Sequence, residues 1–116
     1  MFGKWKRWDH SLRYGTSVIT ENECYENGIG LSLDTTCDFN RIGNNLIKRN
    51  TKGIVITNSD RNNFSHNVIS NNEIGFHIRD GSIWNIISKN NIHSNRDFGI
   101  DAQENGENVT NATNSW

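Results

Sequence analysis

His77, Arg79 and Asp101 are the residues of this chain best equipped for acid–base chemistry, provided that the fold brings the aspartate to the histidine. A carboxylate orients a histidine for proton transfer, and an arginine clamps the carboxylate of a sugar acid. Together they form the equipment of a polyuronate lyase or epimerase. Phe39, Arg61 and Trp84 have a different use. A guanidinium set between two rings gains about 0.5 to 1 kcal/mol from an exposed contact, and the same trio offers a sugar apolar surface beside hydrogen-bond donors. Residues so distant in the chain meet only if the backbone returns to the same place at a fixed interval.

That interval is written into the chain. Cys24, Ile47, Ile69 and Ile92 are separated by 23, 22 and 23 residues, and Ile19, Ile42, Phe64 and Ile87 keep the same steps. Asparagine keeps step in three columns: Asn22, Asn45, Asn67 and Asn90; Asn27, Asn50, Asn72 and Asn95; Asn40, Asn62 and Asn85. Gly30, Gly53, Gly75 and Gly99 follow, each leading into an apolar pair: Leu31 with Leu33, Ile54 with Ile56, Phe76 with Ile78, Ile100 with Ala102. A period of this size announces stacked units, each unable to bury its apolar side alone. Apolar spacings of two and five exclude helices and suit short strands. Asparagine and glycine are expected to supply turn residues with positive φ. Coils stacked about 4.8 Å apart place like on like, so an amide, with two donors and an acceptor oxygen, bonds to its own kind in a ladder.

The same ruler positions the chemistry. Ser32, Val55, His77 and Asp101 form one outward column and Asp34, Thr57, Arg79 and Gln103 the next, so His77 and Asp101 are expected one rung apart with Arg79 beside them. The simpler expectation is a solvated face. No nucleophile or carboxylate pair at hydrolase spacing accompanies it. Phe39, Arg61 and Trp84 share the phase three residues before Ile42, Phe64 and Ile87, beside the Asn40, Asn62, Asn85 column, where the plainer role is to shield a corner.

The unit N-x-[IF]-x-x-N-x-I-x-x-N-x-x-G-[ILF]-x-[ILA], running from about Ser17 to Ala102, resembles the right-handed parallel β-helix repeats of the NosD-like and carbohydrate-binding or sugar-hydrolase type. The resemblance implies an all-β, right-handed parallel β-helix of about four coils of 22–24 residues. Residues 1–14 then form an N-terminal cap or tail, 15–106 the repeats and 107–116 the end of the array. It also implies a structural or carbohydrate-binding module of an extracellular, cell-surface or periplasmic protein, with a polysaccharide or cell-surface glycan as partner. A polysaccharide lyase or epimerase fragment and a NosD-like periplasmic copper-site maturation protein are the alternatives. Alginate epimerases carry an Asp-Pro-His segment; this chain has no proline, and the expectation leans away from an enzyme.

Composition narrows the classes further. With 33% hydrophobic residues and a mean hydropathy of −0.75, the chain suits a solenoid of narrow cross-section better than a globule. Twelve basic residues against thirteen acidic, with no basic block, make no electrostatic case for nucleic acid. The opening "MFGKWKRWDH" has no apolar run after its basic residues, so neither a signal peptide nor membrane insertion is expected from it. Beside the resemblance, this reads as a piece of a longer exported chain. Open solenoid ends are expected to associate end to end, to continue into further coils, or to be capped by Trp5, Trp8, Tyr14 and Trp116. Cys24 falls in a core column and Cys37 in a bend, so no disulfide is expected. His10, His66, His77 and His93 sit at different phases, so neither a metal site nor a cofactor is expected.

Overall fold

The structure, a computed structural model, describes the backbone of residues 3–6, 10–12, 17–102 and 109–110, and the side chains of residues 17–102. The described residues are all-β. Four complete coils carry three short strands each. The first holds β3 (Val18–Thr20), β4 (Asn22–Tyr25) and β5 (Ile29–Asp34), preceded by β1 (Gly3–Lys6) and β2 (His10–Leu12). The second holds β6 (Arg41–Gly43), β7 (Leu46–Lys48) and β8 (Lys52–Thr57). The third holds β9 (Asn63–Ser65), β10 (Val68–Ser70) and β11 (Ile74–Arg79); the fourth holds β12 (Ile86–Ser88), β13 (Asn91–His93) and β14 (Phe98–Asp101), with β15 (Val109–Thr110) beyond. Equivalent strands pair in parallel into three sheets, β1-β4-β7-β10-β13, β2-β5-β8-β11-β14 and β3-β6-β9-β12-β15. The chain is a parallel β-helix. Its register is the one the columns demand: Cys24 faces Ile47, Ile47 faces Ile69 and Ile69 faces Ile92. At the N-terminal end the interval shortens, with Trp5 opposite Cys24 and Leu12 opposite Leu33. The side chains of Trp5, Trp8, Tyr14, Gln103 and Trp116 lie outside the described residues.

Columns of stacked, mostly aliphatic residues fill the interior, with Phe64 and Phe76 meeting edge to face at 5.3 Å. The repeat loosens in the fourth coil. Ile100 is half-buried, and Ala102, expected to face inward with it, is exposed beyond the end of β14.

Three buried amide ladders line the corners of the coil. Asn67 shows the full pattern: its Oδ1 accepts the backbone N–H and the Nδ2 of Asn45, both at 3.0 Å. Its own Nδ2 donates to Asn90 Oδ1 at 2.9 Å and to the Ile42 carbonyl at 2.9 Å. Asn40, Asn62 and Asn85 repeat these contacts, as do Asn50, Asn72 and Asn95. The left-handed turns, however, are not made by the ladder asparagines or by the repeat glycines. They fall one residue earlier, at Glu21, Asn44, His66 and Lys89, at Glu26, Arg49, Asn71 and Ser94, and at Phe39, Arg61 and Trp84, all with φ between 55° and 62°. Each turn aims the next N–H inward, where the amide oxygen of the following coil is its acceptor. The repeat glycines answer a steric need instead: a Cβ on Gly30 or Gly53 would stand 2.8 or 2.6 Å from the carbonyl oxygen of the next coil's glycine.

Asn27 departs from its column. Its backbone N–H bonds to Asn50 Oδ1 at 3.0 Å, yet its own Oδ1 and Nδ2 are buried and, among the described residues, without a partner. Leaving a buried donor or acceptor unmade costs about 1 to 3 kcal/mol, whereas removing an unbonded amide costs little. Asn50→Ala, which orphans the Asn27 N–H and takes a donor from the Cys24 carbonyl, is therefore expected to destabilise by at least about 2 kcal/mol. Asn27→Leu should stay within about 1 kcal/mol of the parent. Urea denaturation of both variants measures the difference, and equal losses would refute the ladder as the source of stability.

Candidate functional site

At the corner before β6, β9 and β12, Phe39, Arg61 and Trp84 stack on successive coils as the spacing predicts. The Arg61 guanidinium carbon lies 4.1 Å from the Trp84 ring centroid and 5.6 Å from that of Phe39. Phe39 is 59% and Trp84 44% exposed. The backbone forces this projection: all three residues are left-handed, and the asparagine after each is locked into the ladder. Left-handed geometry is costly for large side chains, by about 1 to 2 kcal/mol per residue. The two other corners fill the equivalent place with Glu, Asn, His, Lys, Arg or Ser. Phenylalanine and tryptophan appear only at the third.

The trio has neighbours that the column count did not single out. The outer face of the third sheet runs Val18, Arg41, Asn63, Ile86 in register, with Val18 and Ile86 exposed. A groove of about 240 Å³ crosses it, lined by Val18, Arg41, Gly43, Asn63 and Ser65 among others. Gly43 opens the groove because it interrupts a column otherwise holding Thr20 and Ser65. That interruption was the available signal. Val18, Phe39, Trp84 and Ile86, four of the five exposed large apolar residues among those described, lie on this side; Phe98 is elsewhere.

His77 and Asp101 are register partners, as expected, with Nε2 and Oδ2 3.9 Å apart, too far for a hydrogen bond. Their column is less open than a solvated face: Ser32, Val55 and Asp101 are buried and His77 is half-buried. Arg79 is exposed, on the strand of His77 and opposite Thr57. His66 is exposed at the first corner, and His93 contacts Ser94 Oγ at 3.1 Å.

Stacked parallel coils with inward amide ladders define a β-solenoid protein, a class in which binding and catalysis occur on outward columns. Residues 8–115 match the family described as NosD, periplasmic copper-binding protein, and the chain belongs to that family. No curated protein and no solved structure matches it.

The family name raises the question of copper, for which Cys, His and Met are the fitting ligands. The described residues do not fit it. No three His, Cys, Asp or Glu side chains among them gather at one point. The two cysteines form no disulfide with each other and are buried in separate columns. Cys37 Sγ donates to the Asp34 carbonyl at 3.3 Å, and its N–H takes Ser59 Oγ. Cys24 is packed in the core, where burial first, and Glu23 second, push its thiol up from 9.0 to about 12. The folded chain thus holds that proton more tightly than the unfolded one. Its contribution to stability is complete below about pH 9 and is lost as pH rises toward 12. Alkaline unfolding should therefore begin later in Cys24→Val, and a thiol reagent at neutral pH should modify neither cysteine until denaturant is added.

Proposed function

We propose that the chain is a non-catalytic module of a periplasmic or extracellular protein that presents its third sheet and the adjoining corner to an extended polysaccharide. One observation supports this above the rest: Phe39 and Trp84 occupy left-handed positions around Arg61, where small polar residues would be accommodated at less cost. Conformational cost retained at a surface position is a mark of function. The groove beside the trio adds the amide of Asn63, the guanidinium of Arg41 and the hydroxyl of Ser65 to the apolar surface of Val18 and Ile86. Apolar patches rimmed by polar groups suit a ligand with hydroxyl edges and hydrocarbon faces. Trp84→Asn separates fold from function. It exchanges a cation–ring contact for an easier turn, so stability should change by less than about 1 kcal/mol. Binding to the glycan selected from an array should weaken about tenfold or more. Unchanged binding would dismiss the corner as the site.

A second reading is favoured by the approach of His77 to Asp101. In a polysaccharide lyase or epimerase fragment, His77 moves the proton, Asp101 orients it and Arg79 holds the uronate carboxylate. On this reading the chain eliminates or epimerises a polyuronate, and His77→Ala abolishes the reaction. A parent chain inactive on all polyuronates tried removes it.

A further inference from the structure

Two arginines on the third sheet's side of the coil, Arg41 and Arg61, differ from Arg49 and Arg96 in their surroundings; Arg79, on the second sheet, likewise has no carboxylate at ion-pair distance among the described residues. Arg96 lies 3.2 Å from Glu73 and 3.1 Å from Asp97, and Arg49 lies 4.0 Å from Glu26. Lys48, on the first sheet, lies 3.4 Å from Glu23. Among the described residues no carboxylate stands at ion-pair distance from Arg41 or Arg61. The acidic side chains nearest in sequence are engaged with backbone: Asp38 Oδ1 accepts the Asp60 N–H at 2.7 Å, and Asp60 Oδ1 accepts the Ile83 N–H at 2.9 Å. Both arginines are exposed and occupy consecutive coils. They flank Asn63, which pairs with Arg41 across the sheet and follows Arg61 by two residues.

We propose that the glycan bound on this face is an anionic one, and that Arg41 and Arg61 receive its carboxylate or sulfate groups. This rests on the polysaccharide reading above. The geometry of Arg61 supports it. The guanidinium carbon stands 5.6 Å from the Phe39 ring centroid and 4.1 Å from that of Trp84, on the coils before and after, and its N–H donors, all lying in one plane, suit an oxyanion. Ring contacts on both sides also restrict the side chain before the ligand arrives, so less entropy is lost on binding. Arg41 supplies the second charge one coil away, roughly 4.8 Å along the axis. An extended acidic chain running along the solenoid presents charged groups in the same direction, and each pairing makes the next an intramolecular event. A neutral glycan would take only hydrogen bonds from the two guanidinium groups and would gain no charge pairing from them.

The test is a binding titration of the full chain against a polyuronate, a sulfated dextran, an uncharged dextran and polyglutamate. The expected result is that an acidic glycan binds about tenfold or more tightly than uncharged dextran at low salt, with the advantage shrinking as salt shortens the screening length. Arg41→Gln and Arg61→Gln should each weaken binding about three- to fivefold, as befits exposed charge pairs. Arg61→Lys should not restore it, because an ammonium lacks the planar edge. Thermal melts of the variants confirm that they are folded. Which acidic glycan binds more tightly identifies the anionic group. Uncharged dextran binding as tightly as the acidic glycans overturns the inference and leaves the glycan reading standing. Polyglutamate binding as tightly as the acidic glycans upholds the arginines as an anion site and overturns the glycan reading. Binding to none of the four overturns both.

Discussion

The acceptor oxygen of the inward asparagine is the constraint on which the structure depends. Each corner must turn through a left-handed residue, and that turn sends a backbone N–H into the interior, away from water and away from any carbonyl of its own coil. The Oδ1 of Asn45, Asn67 or Asn90 meets the N–H of the coil before, while the Nδ2 of Asn45 or Asn67 passes the bonding on to the coil after. With its further bond to the Ile42 carbonyl, the Asn67 side chain ties its own coil to the one before and the one after. In so narrow a core the apolar contribution per coil is small. An unmet N–H at every corner would cancel much of it.

The pattern extends beyond asparagine. Cys37 and Ser59 pass their N–H groups to Ser59 and Ser82 in turn, at 3.2 Å each, forming a hydroxyl ladder at the bend after the second sheet. Asp38 and Asp60 form a carboxylate version one residue later, facing the opposite way along the axis. The requirement is for a short side chain with an acceptor at the right depth. Any of three chemistries meets it.

Because the ladder residue holds the turn, the residue before it is released to carry something else. Glu21, Asn44, His66 and Lys89 share one backbone conformation and have little else in common, and the same is true of Glu26, Arg49, Asn71 and Ser94. Surface chemistry can change at these places without altering the coil. This separation explains how the chain belongs to the family described by a periplasmic copper-binding protein while its described residues gather no copper ligands. What the described residues carry is the solenoid, and a site is an addition to a fold.

The stacking direction was legible in the sequence, and the directions across it were not. Equivalent residues of neighbouring complete coils lie one period apart, so counting from Asn45 to Asn67 or from Arg61 to Trp84 finds a true neighbour before any coordinate is known. The hydroxyl ladder through Ser59 and Ser82 obeys the same count. Contacts within one level depend on how sharply each corner bends, and a period holds no angle. Only the tertiary structure decided that the glycines answer a carbonyl overhead and not a left-handed turn, that Val55 and Asp101 are buried on an outward column, and that Arg41, Asn63 and the gap at Gly43 join Arg61 on one face. Repetition determines what lies above a residue, whereas the bend of the backbone determines what lies beside it.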